Sequence, residues 1–295
     1  MAEPVNAIKN TIREYAQQHK LPFYDIRFHQ GWLRTLIVRV ATTGEVMVNV
    51  CLGYEDEKER TLLFDHLLKQ VPGITTLLYT INPKKNDTIY DLQPQAYFGK
   101  GHIIETLTTR EGHTLQFKIG PKSFFQTNSR QAERLYQVTR ELACLTGTET
   151  VYDLYCGTGS IGLFVSDKAK KIIGVETVQE AITDAWENAA LNHIEHAKFF
   201  AGDVIDVCTS EFFQLHGQPD VIITDPPRAG MHEKLVRKIL ETAAPLVVYV
   251  SCNPATQARD LNLLDEKYEV TRVQPVDMFP HTHHIENVVQ LRLRK

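Results

Sequence analysis

The chain has 295 residues, 43% of them apolar, which is enough for a substantial core and for two domains. Its formal charge of -4 argues against a protein that binds nucleic acid by bulk charge alone, and its five cysteines (51, 144, 156, 208 and 252) contain no CxxC pair, which counts against a disulfide framework or a four-thiolate metal site. No apolar run reaches membrane-spanning length and the N-terminus lacks the basic-then-apolar order of a secretion signal, so a cytoplasmic protein without a membrane partner is expected.

Pro4 opens a helical pattern with Val5, Ile8, Ile12 and Tyr15 on one face. Two β-rich runs, 33–40 and 46–52, joined at Thr42-Thr43-Gly44, read as a hairpin. Residues 57–71 read as a helix with Leu62, Leu63, His66, Leu67 and Val71 inward, 74–81 as a strand, and Gly99-Lys100-Gly101 as the turn of a second hairpin. Residues 1–118 therefore form an α+β domain without an evident chemical motif, and 119–295 a second domain. Basic groups at Lys84-Lys85, Lys234/Arg237/Lys238 and Arg292/Arg294/Lys295 read first as solvated faces.

Ser129 is expected to cap a helix running to Leu145. Apolar runs at 150–154, 171–175, 198–200, 221–224, 246–250, 268–274 and 287–293 then alternate with helical patterns, which predicts an α/β fold with a mostly parallel, doubly wound sheet. The last two runs lie too close together for a crossover helix, so they should pair antiparallel. Seven strands with an antiparallel last member is the Rossmann-like pattern of class I methyltransferases.

Asp153-Leu-Tyr-Cys-Gly-Thr-Gly-Ser-Ile-Gly162 places Gly157, Gly159 and Gly162 in GxGxxG spacing between a strand and a helix, where glycines permit a tight turn against a ligand. Glu176 ends the next strand, where a carboxylate can accept from ribose hydroxyls, and Asp203 ends the third, placed for an adenine amino group or for a helix N-cap. A dinucleotide would need a second mononucleotide half. Here the later strands end in Asp225-Pro-Pro and Ser251-Cys252 instead, and Asp153 suits a cationic sulfonium, so S-adenosylmethionine is the expected cofactor.

Ligands of open α/β sheets bind outside the carboxyl ends of the strands. Asp225 and Cys252 follow two such strands, and an antiparallel last strand starts on that edge at Glu286. A thiol beside a carboxylate suits alkylation of uracil C5, which is not nucleophilic by itself. A thiolate adding to C6 activates C5, and a base then removes the C5 proton. Cys252 is the candidate nucleophile, Glu286 the candidate base, and Arg228 and Arg259 are candidate cations to favour the thiolate. The competing readings are a buried structural cysteine and a solvated glutamate. Phe124, Phe125 and Tyr155 can stack a base or wall an adenosine, with core packing as the alternative for Phe124. His281, His283 and His284 lack metal-ligand spacing and read as loop or substrate contacts, so no metal is expected.

Residues 123–128 (SFFQTN), 153–162 (DLYCGTGSIG), 225–230 (DPPRAG), 251–254 (SCNP) and 278–286 (MFPHTHHIE) together resemble the RNA uracil-C5 methyltransferase family, strongly over 119–295 and in general layout before it. The resemblance implies Cys252 as nucleophile and Glu286 as proton acceptor. It implies cofactor contacts from Gln126, Tyr155, Gly157, Gly159, Ser160, Glu176, Asp203 and Asp225, and substrate contacts from Phe124, Asp225, Arg228 and His283. FFQTN and MFPHTHHIE look closer to the ribosomal RNA branch than to the transfer RNA branch, and a monomer acting on ribosomal RNA is expected. Many members of that branch carry an N-terminal RNA-binding barrel and a four-cysteine iron–sulfur segment. This sequence has neither, so it reads as a piece of a longer protein or a minimal member, and iron–sulfur binding does not carry over. An amine-directed methyltransferase would place an aromatic after Asp-Pro-Pro, where this chain has Arg228, and would need no cysteine. A non-catalytic RNA-binding module is disfavoured by the intact Cys252 and Glu286.

Overall fold

The computed structural model describes residues 3–295. The chain divides into two compact units, Met1–Glu105 with Lys118–Lys122, and Thr106–Phe117 with Ser123–Lys295. The expected boundary at 118/119 falls inside β6 (Thr114–Ile119), a strand whose two ends belong to different units.

The first unit places α1 (Val5–Gln18) and α2 (Glu57–Gln70) with a sheet of order β1-β2-β3-β4: β1 (Leu33–Val40), β2 (Val46–Leu52), β3 (Thr76–Ile81) and β4 (Gln95–Phe98). The β1–β2 hairpin forms as the sequence predicts, and α2 crosses between the parallel strands β2 and β3. Asp56 caps α2 by accepting from the Glu59 N–H at 3.1 Å, an N-terminal donor with no partner inside the helix. The inward stripe of α2 is Arg60, Leu63, Phe64 and Leu67, whereas Leu62 is 48% exposed. Leu63, Leu67 and Val71 of the predicted inner face are buried as expected, and the correction is that Arg60 and Phe64 take the place of Leu62.

Gly99–Gly101 does not turn a hairpin. β4 pairs with β3, whereas β5 (Ile103–Thr108) pairs with β6, so the glycines carry the chain from one sheet to another. Gly99 has φ +79°, and a Cβ there would lie 2.1 Å from the Thr75 carbonyl oxygen. Close backbone approach, rather than hairpin geometry, is what that glycine provides.

The second unit is built on a seven-stranded sheet of order β12-β13-β11-β10-β7-β8-β9. Its elements, after α3 (Ser129–Ala143), are β7 (Thr150–Leu154), α4 (Ser160–Val165), β8 (Lys171–Glu176), α5 (Gln179–Leu191), β9 (Ala197–Ala201), α6 (Val204–Val207), α7 (Ser210–His216), β10 (Val221–Thr224), α8 (Glu233–Thr242), β11 (Leu246–Ser251), α9 (Pro254–Leu264), β12 (Tyr268–Val276) and β13 (Glu286–Leu293). β7 to β11 are parallel, and β13 runs antiparallel to both its neighbours, as the short 277–285 link requires. This is the class I methyltransferase fold. Val151, Ile172, Ile173, Ile223, Val247, Val248 and Val250 are buried throughout, the continuous apolar reading of strands covered on both faces.

Asn128, not Ser129, caps α3: its side chain accepts from the Gln131 N–H. Several of the basic residues on the surface are ion-paired, Arg237 with Glu233, Lys238 with Glu241 and Arg294 with Asp265, in keeping with solvated faces. Among the described residues no helix is long and apolar enough to cross a membrane.

Candidate active site

The carboxyl ends of β7, β8, β10 and β11 share one edge with the start of β13. In the β11–β13 ladder Ser251, the last residue of β11, pairs with Asn287, so Cys252 and Glu286, each the next residue outward, stand at the same end of the ladder. The thiol and the carboxyl act on one another electrostatically although 286 and 252 lie in separate motifs. Asp225 follows β10 next to β11, and its N–H approaches the Leu154 carbonyl at 3.4 Å.

These groups feel one another. Burial pushes the Glu286 carboxyl up to about 7, opposed by the Arg228 guanidinium. Asp225 is held well above the usual carboxylate range, by burial first, then by Glu286 and Asp153. Cys252 is half-buried, and burial, Glu286 and Asp225 raise its pKa while Arg228 lowers it. Of the two candidate cations, Arg228 does act on the thiol in the expected direction, but burial and the two carboxyls set the net shift upward. The Arg259 guanidinium is turned to Asp260 and to the Ala229 and Met231 carbonyls.

The glycine loop begins with Tyr155 at φ 61°, a left-handed conformation unusual for a bulky residue, and continues through Gly157 (φ +53°) and Gly159 (φ +78°). Nothing lies within 4 Å of where a Gly157 Cβ would stand, so the loop opens onto free space there. Glu176 reaches back to the loop, accepting from the Gly157 N–H at 3.2 Å and from the Val178 N–H at 3.0 Å. Asp153 does not face that space: it is 1% exposed, and its Oδ2 accepts from the Gly162 N–H at 2.8 Å. Its Oδ1 is buried without a hydrogen-bond partner, and burial together with Glu176 pushes this carboxyl up to about 7. Asp153, expected to suit a cationic sulfonium, is a buried support beneath the loop. An open glycine cradle beside a half-buried glutamate, backed by an orphaned carboxyl oxygen, fits a nucleoside bearing a positive charge.

The other expected residues divide. Asp203 is exposed and caps α6 through the Ile205 N–H at 2.8 Å, the N-cap alternative. Ser160 exchanges a 2.9 Å hydrogen bond with the Tyr136 hydroxyl and so ties α4 to α3. Gln126 is half-buried in a segment anchored at both ends: Ser123 Oγ donates to Asp184 Oδ2 at 2.5 Å, and Asn128 Nδ2 donates to the Met278 carbonyl at 2.8 Å. The second bond joins the SFFQTN and MFPHTHHIE motifs. Phe124 is 72% exposed, which overturns the core-packing alternative for it; Phe125 is the buried ring, packed on Phe117. His283 is exposed and stacks on His284, whose pKa is lowered by partial desolvation, then by His283 and Arg228. That histidine loop therefore stands near the Arg228 side of the site.

Gln257, Asp260 and Asn287 were not anticipated. Gln257 and Asp260 are buried polar residues on the inner face of α9, in line with Leu264. Polar side chains recurring on the apolar stripe of a helix were the available signal.

The sequence model of one family, tRNA (uracil-5-)-methyltransferase, matches residues 93–294. An uncharacterised RNA methyltransferase of Bacteroides thetaiotaomicron is 55% identical over 292 residues, covering 98% of this chain and 63% of the relative. One of Porphyromonas gingivalis is 52% identical over 294 residues, covering 98% and 62%. Among solved structures, the Pyrococcus abyssi tRNA (uracil-54, C5)-methyltransferase in complex with S-adenosyl-L-homocysteine superposes with a TM-score of 0.79 at 31% identity, covering 96% of this chain and 65% of that one. The chain spans less than two thirds of the length of each of these relatives.

Proposed function

Because this chain belongs to the tRNA (uracil-5-)-methyltransferase family, we propose that it methylates C5 of a uridine in structured RNA, with Cys252 and Glu286 as the reacting side chains. The observation that supports the reading is the β11–β13 ladder, whose last pair, Ser251 with Asn287, precedes Cys252 and follows Glu286 at the sheet edge where the glycine loop opens. S-adenosylmethionine supplies the methyl group. Gln126, Tyr155, Gly157, Gly159, Ser160, Glu176, Asp203 and Asp225 are the proposed residues around it, with Glu176 toward the ribose and Tyr155 as a wall.

In this reading the target uridine is splayed out of its stack, as chemistry on a base requires. Phe124, exposed at 72%, offers a ring to stack on it, and His283 a contact to the flanking backbone. The thiol must ionise before it attacks, and Arg228 favours that step. Sγ then bonds to C6 of the uracil, and the electron pair moved onto the ring makes C5 the nucleophile that would take the methyl group as its bond to the sulfonium sulfur breaks, with S-adenosylhomocysteine as the leaving group. Glu286 removes the C5 proton, the ring electrons expel the sulfur, and the C6–S bond breaks. Asp225, whose carboxyl burial pushes upward, is proposed to accept from the base edge.

The proposed partner is ribosomal RNA, with 23S ribosomal RNA as the specific substrate, and the protein acting in the cytoplasm as a monomer. Residues 1–118 are proposed as the part that contacts RNA and 119–295 as the catalytic domain. A transfer RNA substrate is the second reading, favoured by the likeness to the Pyrococcus enzyme. Nucleoside mass spectrometry of ribosomal and transfer RNA from a strain lacking the gene tests both. Loss of 5-methyluridine from 23S ribosomal RNA supports the first reading and loss from transfer RNA the second. Unchanged 5-methyluridine in both pools overturns the proposal.

A further inference from the structure

The segment from Pro226 to Met231 leaves β10 without joining a strand or helix, and its own internal bond is the turn from Gly230 N–H to the Pro227 carbonyl at 2.8 Å. It is held instead by α9. Asn253 Nδ2 and Thr256 Oγ1 donate to the Arg228 carbonyl at 3.1 and 3.2 Å. Arg259 Nη2 donates to the Ala229 and Met231 carbonyls at 3.0 and 3.2 Å. Asp260 Oδ2 accepts from the Met231 N–H at 2.8 Å and from the Tyr249 hydroxyl at 2.7 Å, while its Oδ1 accepts from Arg259 Nε at 2.9 Å. Gly230 lies flush against this pair: a Cβ there would stand 2.7 Å from both Arg259 Nη2 and Asp260 Oδ2.

Asp260 is fully buried, 0% exposed. A buried carboxylate is costly unless every lone pair is met, and an apolar side chain would pack α9 on β11 at lower cost. What an apolar residue could not do is hold the backbone N–H of Met231 and orient Arg259 onto the loop carbonyls. The loop so held carries Arg228, the cation that acts on both Cys252 and Glu286. We propose that Asp260 is a positioning residue: through Arg259 and the 226–231 loop it keeps the Arg228 guanidinium beside the Cys252 sulfur. The inference rests on the reading of Cys252 as the attacking thiol, but it concerns the geometry of the protein without RNA or cofactor.

The test reads the thiol directly. The full chain is alkylated with iodoacetamide across pH 6–9, and Cys252 and Cys144 are quantified as separate peptides, exposed Cys144 serving as internal reference. The other groups facing the sulfur are Glu286 and Asp225, present in every variant, and Glu286, itself lowered by Arg228, moves the thiol in the same direction when Arg228 is displaced. Asp260→Asn keeps the volume and one acceptor but turns an N–H donor toward Arg259. It should slow Cys252 alkylation at pH 7.5 roughly three- to tenfold and leave Cys144 unchanged, matching Arg228→Gln in direction. Combining the two substitutions should add no further loss, because both act through one guanidinium. If Asp260→Asn does not fold, Arg259→Met, a change at a half-exposed side chain, removes the same bonds to the loop and is read in the same way. A Cys252 profile identical to the unsubstituted protein in the folded variant, even with a lowered melting temperature, makes Asp260 purely structural and overturns the proposal. Because the assay needs no methyl transfer, a failure of the proposed activity leaves it interpretable.

Discussion

Gln257 and Asn287 bond to each other in both directions: Asn287 Nδ2 donates to Gln257 Oε1 at 2.6 Å, and Gln257 Nε2 donates to the Asn287 carbonyl at 3.1 Å. The same Nε2 also donates to the Tyr249 carbonyl at 2.9 Å. One buried amide on α9 thus spans β11 and β13 at the point where they present Cys252 and Glu286. Gln257→Leu keeps the bulk but strands these partners, at a cost of about 1–3 kcal/mol in stability. We expect that loss in urea unfolding together with a drop of about tenfold or more in methyl transfer; a stable but fully active Gln257→Leu protein would show that the amide does not set the spacing.

Cys252→Ala should abolish methyl transfer, since without the C6 adduct C5 has no nucleophilic character. Glu286→Gln should instead accumulate a protein–RNA adduct that survives denaturing electrophoresis, because the adduct forms but the C5 proton stays. A Cys252→Ala protein with full activity would refute the covalent route.

The carboxyl of Glu286, pushed up to about 7, also sets a pH dependence. An acid with a raised pKa is neutral below that value and cannot accept a proton, so single-turnover methyl transfer should fall as pH drops through about 7. Above it, the ionised carboxylate opposes ionisation of the neighbouring thiol. Glu286→Gln removes that repulsion and should speed alkylation of Cys252 at pH 8 by a few-fold, because it lowers the thiol pKa. Unchanged alkylation would place the two groups out of electrostatic reach.

Asp153, pushed up to about 7, affects stability with the opposite sign to a salt-bridged carboxylate. Its pKa is raised in the folded state, whereas in the unfolded chain an aspartate ionises near 3.9. The unfolded state therefore releases the proton first, and stability falls as pH rises from about 4 to about 7. Asp153→Asn retains an acceptor for the Gly162 N–H and removes the buried charge. It should stabilise the cofactor-free protein at pH 8 by on the order of 2 kcal/mol, with little gain at pH 4, in melting curves at the two pH values.

Glu176→Ala should weaken S-adenosylhomocysteine binding by roughly tenfold or more in calorimetric titration, through loss of the ribose acceptor and of the bond to the Gly157 N–H at 3.2 Å. Affinity within a factor of two of the parent would remove Glu176 from the proposed pocket.

How much of this was legible beforehand varies by element. The strands 150–154 and 221–224 were read to the residue because unbroken apolar runs bounded by polar turns leave little freedom. The Gly99–Gly101 hairpin was misread because a glycine turn looks the same whether the strands beside it pair with each other or with a third. The sequence places both Leu62 and Leu63 on the α2 stripe because composition does not say which of two adjacent leucines faces inward, and packing buries Leu63 alone. Asp153 was read as facing a ligand, since nothing local distinguishes a carboxyl above a loop from one beneath it.

The amino-acid order alone determined the parallel α/β sheet, its antiparallel last strand and the edge that carries Cys252, Asp225 and Glu286, because each follows from periodicity and from a link too short for a crossover. Only the tertiary structure decided the β11–β13 register that brings 252 and 286 to one end of the ladder, the upward shift of the thiol, and the anchoring of the Arg228 loop by α9. Those outcomes depend on strand register, on desolvation and on side chain to backbone bonds 25 residues apart or more, and none of these is written in any local pattern.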